Sequence, residues 1–253
     1  MTVANPAYTP IAHSKTAAMS RVLDAVAKGY TFHIAGTCTP EKAERLAKKF
    51  HALYGIGCSP AQRLTRKKQG LANALLVMYW PACPVADSAP SSAPELAPEL
   101  APELAPETSP DLLTRTCERN SSVSWLLLVT EGRGEVREHE SLASVREKPR
   151  LIWLGYELVR HERRGKTAWT WRRPKSEMAE LYVALGAQLS QRQEAAIAQT
   201  LLRISRQPGF SGVREQSWSL CQFARQRGYS GALPFLYYVQ KLSHGIPLCV
   251  SAA

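Results

Sequence analysis

Aspartate is nearly missing from this sequence: Asp24, Asp87 and Asp111 are the only ones in 253 residues. Metal-assisted phosphoryl transfer uses carboxylates gathered at one place, so a nuclease or primase built on clustered aspartates is disfavoured. The histidines, His13, His33, His51, His139, His161 and His244, form no HxH, HExxH or HxxxH group. The cysteines, Cys38, Cys58, Cys83, Cys117, Cys221 and Cys249, include no CxxC pair. A metal site would have to assemble from distant parts of the chain, and no metal or cofactor is expected. Scattered cysteines read as free thiols of a reducing compartment. Missing too are GxxxxGK followed by Ser or Thr, GxGxxG after a strand, and GxSxG. Their absence removes the signatures of the phosphate-binding loop, the dinucleotide fold and the hydrolase elbow. No apolar run approaches the roughly 18 to 20 residues that span a bilayer, and the N-terminus lacks a charged stretch followed by an apolar core. A membrane is therefore not an expected partner, and the cytoplasm is the expected location.

What the chain has is positive charge. Its 32 Lys and Arg against 21 Asp and Glu give a formal +11 and a pI near 9.6. Six acids, Asp87, Glu95, Glu99, Glu103, Glu107 and Asp111, lie between Pro81 and Thr114, where there is no Lys or Arg, which leaves +17 for the remainder. A surface that basic suits phosphate-rich partners. An ordinary soluble domain with arginine-rich usage has the same composition.

The organising stretch is YTFHIAGTCTPEKAERLAKKFHALY, from Tyr30 to Tyr54. Tyr30, Phe32 and Ile34 alternate with Thr31, His33 and Ala35 as in a half-buried strand, which Gly36 is expected to break. Thr39 is placed to cap a helix with Pro40 at its first position and Glu41 at the positive end of its dipole. Ala43, Leu46, Ala47, Phe50 and Leu53 then form an apolar stripe opposed by Lys42, Arg45, Lys48 and Lys49. Gly55 and Gly57 stop this helix, Ser59-Pro60 caps a short one, and Arg63, Arg66, Lys67 and Lys68 follow in an expected basic loop. Ala74 to Trp80 is a strand ended by Pro81.

From Ala93 the words APEL, APEL, APEL and APET follow one another, with a proline every fourth residue. Such a segment is expected to be extended and solvated, a spacer. Beyond it, Ser124 to Thr130 is a strand closed by the turn Glu131-Gly132-Arg133-Gly134, whose amides are also a candidate anion cradle. Val136 to Val145 is expected to hold a short strand and then a short helix. Leu151 to Arg160 and Thr167 to Arg173 make a hairpin with the polar tip His161 to Lys166. Trp169, Trp171 and Arg173 point to one side of its second strand. Rings and arginines on a sheet resemble a single-strand-binding surface, although tryptophan on a sheet usually packs under a helix. Helical spacing returns over 176–187, 191–206 and 213–226, with the stripe Val213, Trp218, Cys221, Phe223 and Ala224 facing inward in the last and a final short helix over 234–242. The pair joined by Pro208 to Gly212 has the outline of a helix-turn-helix, with Arg214, Arg225 and Arg227 outward on its second member.

The predicted organisation is a flexible arm (1–15), the first part of an α+β domain (16–84), a disordered Pro/Ala/Glu spacer (85–112), the second part of that domain (113–175) and a helical subdomain (176–253). The predicted fold class is α+β, with a mixed or antiparallel sheet covered by helices and a C-terminal helical subdomain.

The phrases GYTFHIAGTCTPEKAERLAKKFHALYGI at Gly29 to Ile56 and PGFSGVREQ at Pro208 to Gln216 resemble uncharacterised accessory proteins of proteobacterial conjugative plasmids and integrating elements. The resemblance implies a role in mobilisation, replication or regulation of DNA and carries over no functional residue. The acidic spacer departs from the group.

The expected function is therefore a non-enzymatic nucleic-acid-binding accessory protein of a plasmid or mobile element, its partner DNA. Contacts are expected from Arg63, Arg66, Lys67 and Lys68, from Arg163, Arg164, Lys166, Arg172 and Arg173, and from Arg214, Arg225 and Arg227. One alternative is an enzyme on nucleic acid in which His33, Glu41 or Tyr30 converges with Glu157. Another is an adaptor that docks a protein partner on the aromatic cluster Phe235, Tyr237 and Tyr238.

Overall fold

The computed structural model describes residues 10–81, 122–163, 166–239 and 246–247; the APEL spacer and the first nine residues of the expected arm lie outside them. In order, the elements are Pro10–Ala12 (β1), Lys15–Ala27 (α1), Tyr30–Cys38 (β2), Pro40–Tyr54 (α2), Pro60–Lys68 (α3), Ala74–Tyr79 (β3), Val123–Thr130 (β4), Glu135–His139 (α4) and Ala143–Ser144 (β5). Then follow Ile152–Trp153 (β6), Tyr156–Arg163 (β7), Lys166–Arg172 (β8), Lys175–Ser190 (α5), Glu194–Ser205 (α6), Ser211–Gln226 (α7) and Ile246–Pro247 (β9).

The main sheet is mixed, in the order β5-β2-β4-β3-β1-β9, with β1 parallel to β3 and the other pairs antiparallel. The strands that flank the APEL segment pair with each other, Tyr79 opposite Ser124, so both halves of the chain contribute to one sheet. Its centre is β4, whose apolar run SWLLLVT is covered on both faces. Leu126 and Leu128 point to α1, where Met19, Val22, Ala25 and Val26 form the buried stripe. Leu127 and Val129 point to the other face, against Ala43, Ala47, Phe50 and Tyr54 of α2. Burying leucines of this kind contributes about 1.5–3 kcal/mol each.

The α2 boundaries follow the sequence signals: Thr39 sits at the cap position, although its hydroxyl accepts no helix amide, Pro40 opens the helix and Gly55 closes it in the left-handed conformation, its amide donating to the His51 carbonyl. Gly36, in contrast, does not end β2, which runs on to Cys38. It faces Trp125 on β4, and a Cβ there would lie 2.6 Å from the Trp125 ring. The glycine makes room for that indole, which then meets Phe50 edge-on at 5.8 Å between ring centroids.

Four further expectations are corrected. The basic loop is a helix: Ser59 and Gln62 form a capping box, so Arg63, Arg66, Lys67 and Lys68 all lie on α3. Between Val136 and Val145 the helix comes first and the strand second. The expected strand Leu151 to Arg160 is two strands, because Leu154 and Gly155 both take positive φ (52° and 84°), the geometry of a two-residue hairpin turn. Residues 234–239 carry no helix.

The smaller antiparallel sheet, β6-β7-β8, carries the helical subdomain α5–α7, which has its own core of Leu185, Ile197, Leu201, Ile204 and Leu220. Arg173 joins the two. Its backbone and the Gln216 side-chain amide exchange two hydrogen bonds, at 2.8 and 3.1 Å. Its guanidinium donates to Gln207 Oε1 (2.9 Å), Ser217 Oγ (2.9 Å) and the Val213 carbonyl (3.3 Å). Next to it, Trp171 is buried under α1 and donates to the Met19 carbonyl at 3.0 Å. Gly212 lets α7 approach the Trp171 carbonyl to 2.6 Å from where a Cβ would stand, and Thr170 Oγ1 accepts from its amide.

Candidate nucleic-acid interface

One face of α1 carries Arg21, Asp24 and Lys28 at spacings of three and four, so all three leave the helix on one side. Opposite stands α3, whose Arg63 is anchored by a hydrogen bond to the Ile56 carbonyl (2.9 Å) and whose Lys67 is exposed. Between the two helices lies a cavity of about 750 Å³, floored by Tyr30, Asn73 and Leu75 and closed by Thr130, Glu131 and Arg146. A second cavity, of about 540 Å³, shares Asp24, Gly29 and Arg146 with the first and extends to Arg160, Thr167 and Trp169 on the β7–β8 hairpin. The shared residues set the two cavities side by side, as a trough from α3 past the end of α1 to the smaller sheet.

Six cations line this trough, Arg21, Lys28, Arg63, Lys67, Arg146 and Arg160, against two acids, Asp24 and Glu131. Glu131 approaches Arg146 only to 3.8 Å. Burial, and then the like charge of Arg63, hold Arg21 below the ordinary arginine value. Concave, low-dielectric surroundings concentrate the field of such a cluster. Arg160 and Trp169 are cross-strand partners, which sets a cation beside a half-buried indole at the far end.

The expected contact residues do not all reach this place. Arg63 and Lys67 line the trough. Arg66 is half-buried and donates to the Ala72 carbonyl at 2.9 Å, and Lys68 is exposed on α3. Arg163 and Lys166 are the last register pair of the hairpin; Arg164 lies outside the described residues, as do the side chains of Arg163 and Lys166. Arg172 is held by Glu157 at 3.0 Å and faces a separate hollow with Lys148, Arg150 and Lys175. Arg173, expected beside it as a contact, is fully buried with its donors committed to α7 and Gln207, so its role is structural. Arg214 stacks on Tyr238 (3.4 Å) and donates to the Leu236 carbonyl, while Arg225 and Arg227 sit over Tyr229 and Phe223.

Other sequence readings also find their places. The first turn of α7, the part that a recognition helix inserts into a groove, is docked on β8 through Ser211, Gly212 and Thr170. Trp218, expected inward, is 50% exposed because the subdomain core takes Leu220 and Cys221 from that helix instead. The Glu131-Gly134 turn packs against residues 70–72, and the Arg133 amide, one of those expected to cradle an anion, donates to the Gly70 carbonyl instead. Tyr30 lines the trough, Glu157 lines the hollow beside Arg172, and His33 is buried on β2, where desolvation lowers its pKa. Among the described residues no group of three or more His, Cys, Asp or Glu is placed to hold a metal ion.

Arg21, Lys28, Asn73, Arg146 and Arg160 were not anticipated. Only the Arg21-Asp24-Lys28 spacing signalled a polar face; the others are single residues that the fold brings together. No protein-family model matches the chain, and no curated protein or solved structure matches it significantly.

Proposed function

We propose that this protein binds nucleic acid, with DNA as the partner, along the trough between α1, α3 and the β7–β8 hairpin. The observation that carries the reading is the pair of adjoining hollows lined by six cations and two acids. Lys and Arg in such a hollow displace condensed counterions from a phosphate backbone, so affinity falls steeply with salt. The resemblance noted in the sequence supports a plasmid or mobile-element role in mobilisation, replication or regulation. The free thiols Cys38, Cys58 and Cys221 support a cytoplasmic setting; among the described residues no helix is long and apolar enough to cross a membrane. Cys83, Cys117 and Cys249 lie outside the described residues.

The test is the salt dependence of binding to duplex and single-stranded DNA by fluorescence anisotropy. Each phosphate neutralised contributes about −0.9 to the log–log slope on duplex and about −0.7 on a single strand. Affinity indifferent to salt overturns the reading. A second reading, docking of a protein partner, is favoured by Trp218, Phe235, Tyr237 and Tyr238, each at least half exposed. Retention of a partner from nuclease-treated extract, lost on Phe235→Ser with Tyr238→Ser, together with no retention on DNA, supports that reading over the first.

A further inference from the structure

The closed end of the trough holds more than a backbone-binding surface requires. Asn73 is 5% exposed, and its side-chain Nδ2 and backbone amide are both engaged, donating to the Arg63 carbonyl (3.0 Å) and Thr130 Oγ1 (2.9 Å). Its Oδ1 has no partner, and neither has Arg63 Nε beside it. A buried acceptor left unpaired is unfavourable, so a ligand that brings a donor is favoured there. The cations Lys28, Arg63, Lys67 and Arg146 line the same place and suit an anion there. Leu64, 56% exposed, and Leu75 give the cavity an apolar side on which a ring can lie. The volume of about 750 Å³ falls in the range of small-molecule pockets, roughly 300–1,000 Å³.

We propose that this end of the trough is a pocket for one nucleoside phosphate. The phosphate meets the guanidinium and ammonium groups, the sugar or base donates a hydrogen bond to Asn73 Oδ1, and the base lies along Leu64 and Leu75. Free nucleotide and the phosphorylated terminus of a strand present the same chemistry. This deepens the polynucleotide reading and rests on it only for the second source.

The experiment titrates the full chain with adenosine diphosphate, inorganic phosphate and adenosine separately, by calorimetry, and compares anisotropy of a 5′-phosphorylated and a 5′-hydroxyl single strand. The diphosphate is expected to bind about tenfold or more tighter than phosphate, and adenosine weakest. Lys67→Ala with Arg146→Ala, both in surface positions that leave the fold intact, is expected to weaken the diphosphate and phosphate together; Asn73→Ser is expected to weaken the diphosphate alone. A preference for the 5′-phosphorylated strand assigns the pocket to strand ends, and equal binding of the two strands assigns it to free nucleotide. Equal affinity for phosphate and the diphosphate overturns the nucleoside part. No diphosphate binding alongside salt-dependent DNA binding overturns the pocket and leaves the polynucleotide reading standing. Diphosphate binding without DNA binding does the reverse.

Discussion

Arg173 and Arg63 are both partly or wholly withdrawn from water, yet they serve opposite ends. Every part of the Arg173 guanidinium meets an acceptor that the fold supplies, namely Gln207, Ser217 and the Val213 carbonyl. Arg63 spends one nitrogen on the Ile56 carbonyl, keeps Nε unpaired, and faces Arg21 across a hollow. The first arrangement is closed and holds the end of β8 against α6 and α7. The second is left short of negative charge. An arginine withdrawn from water is structural where the protein completes its hydrogen bonds; for Arg63, where it does not, the role we propose is recognition.

The contrast is broken most severely at Arg173. Arg173→Met is expected to destabilise by about 3–5 kcal/mol, because Gln207, Ser217 and the Val213 carbonyl lose their shared partner inside the molecule. Arg173→Lys is expected to recover little of it, since an ammonium cannot reproduce the fork. Urea denaturation followed by circular dichroism measures both, and a loss under about 1 kcal/mol for Met would place Arg173 with the surface residues after all.

Lys67→Ala with Arg146→Ala is expected to do the opposite. Stability should stay within about 0.5 kcal/mol for each site, while the salt slope of DNA binding flattens by about two. An unchanged slope would show that the trough is not where the backbone lies.

A milder perturbation reaches the closed region through pH. Burial raises the Tyr156 hydroxyl to about 12, and it donates to Gln207 Oε1, the oxygen that Arg173 also uses. Tyr54, under burial and then beside Glu140, is likewise raised to about 12. An unfolded tyrosine ionises near pH 10, below both folded values. Their contribution is therefore complete below about pH 10 and lost as pH rises through about 12. Denaturation midpoints taken from pH 8 upward should fall across that window, and the double replacement Tyr54→Phe, Tyr156→Phe should flatten the fall.

The smallest effect is expected from Arg225→Ala with Arg227→Ala. These side chains lie over Phe223 and Tyr229, away from the trough, so the salt slope should change by well under one per residue. A change as large as that of the trough pair would move the interface to α7.

The elements that local chemistry controls were legible. Thr39-Pro40 and Gly55 bound α2, Ser59-Pro60 opens α3, and the run SWLLLVT is the central strand, because capping and apolar periodicity act within a few residues. The misreadings came where a distant partner decides. Gly36 looks like a strand end until Trp125 lies across it, and the Leu154-Gly155 turn is invisible in a stretch that reads as one strand. Of the twelve expected contact residues, Arg63 and Lys67 line the trough, because clustered charge in a sequence records where helices carry solvent faces and not what those faces meet.

By itself the sequence determined the α+β class, the apolar run that becomes β4 and the excess of positive charge. Tertiary structure alone decided which cations are spent and which are left over. Whether an arginine ends beside a carbonyl or beside another arginine depends on contacts between residues tens of positions apart, and desolvation gives those contacts their weight.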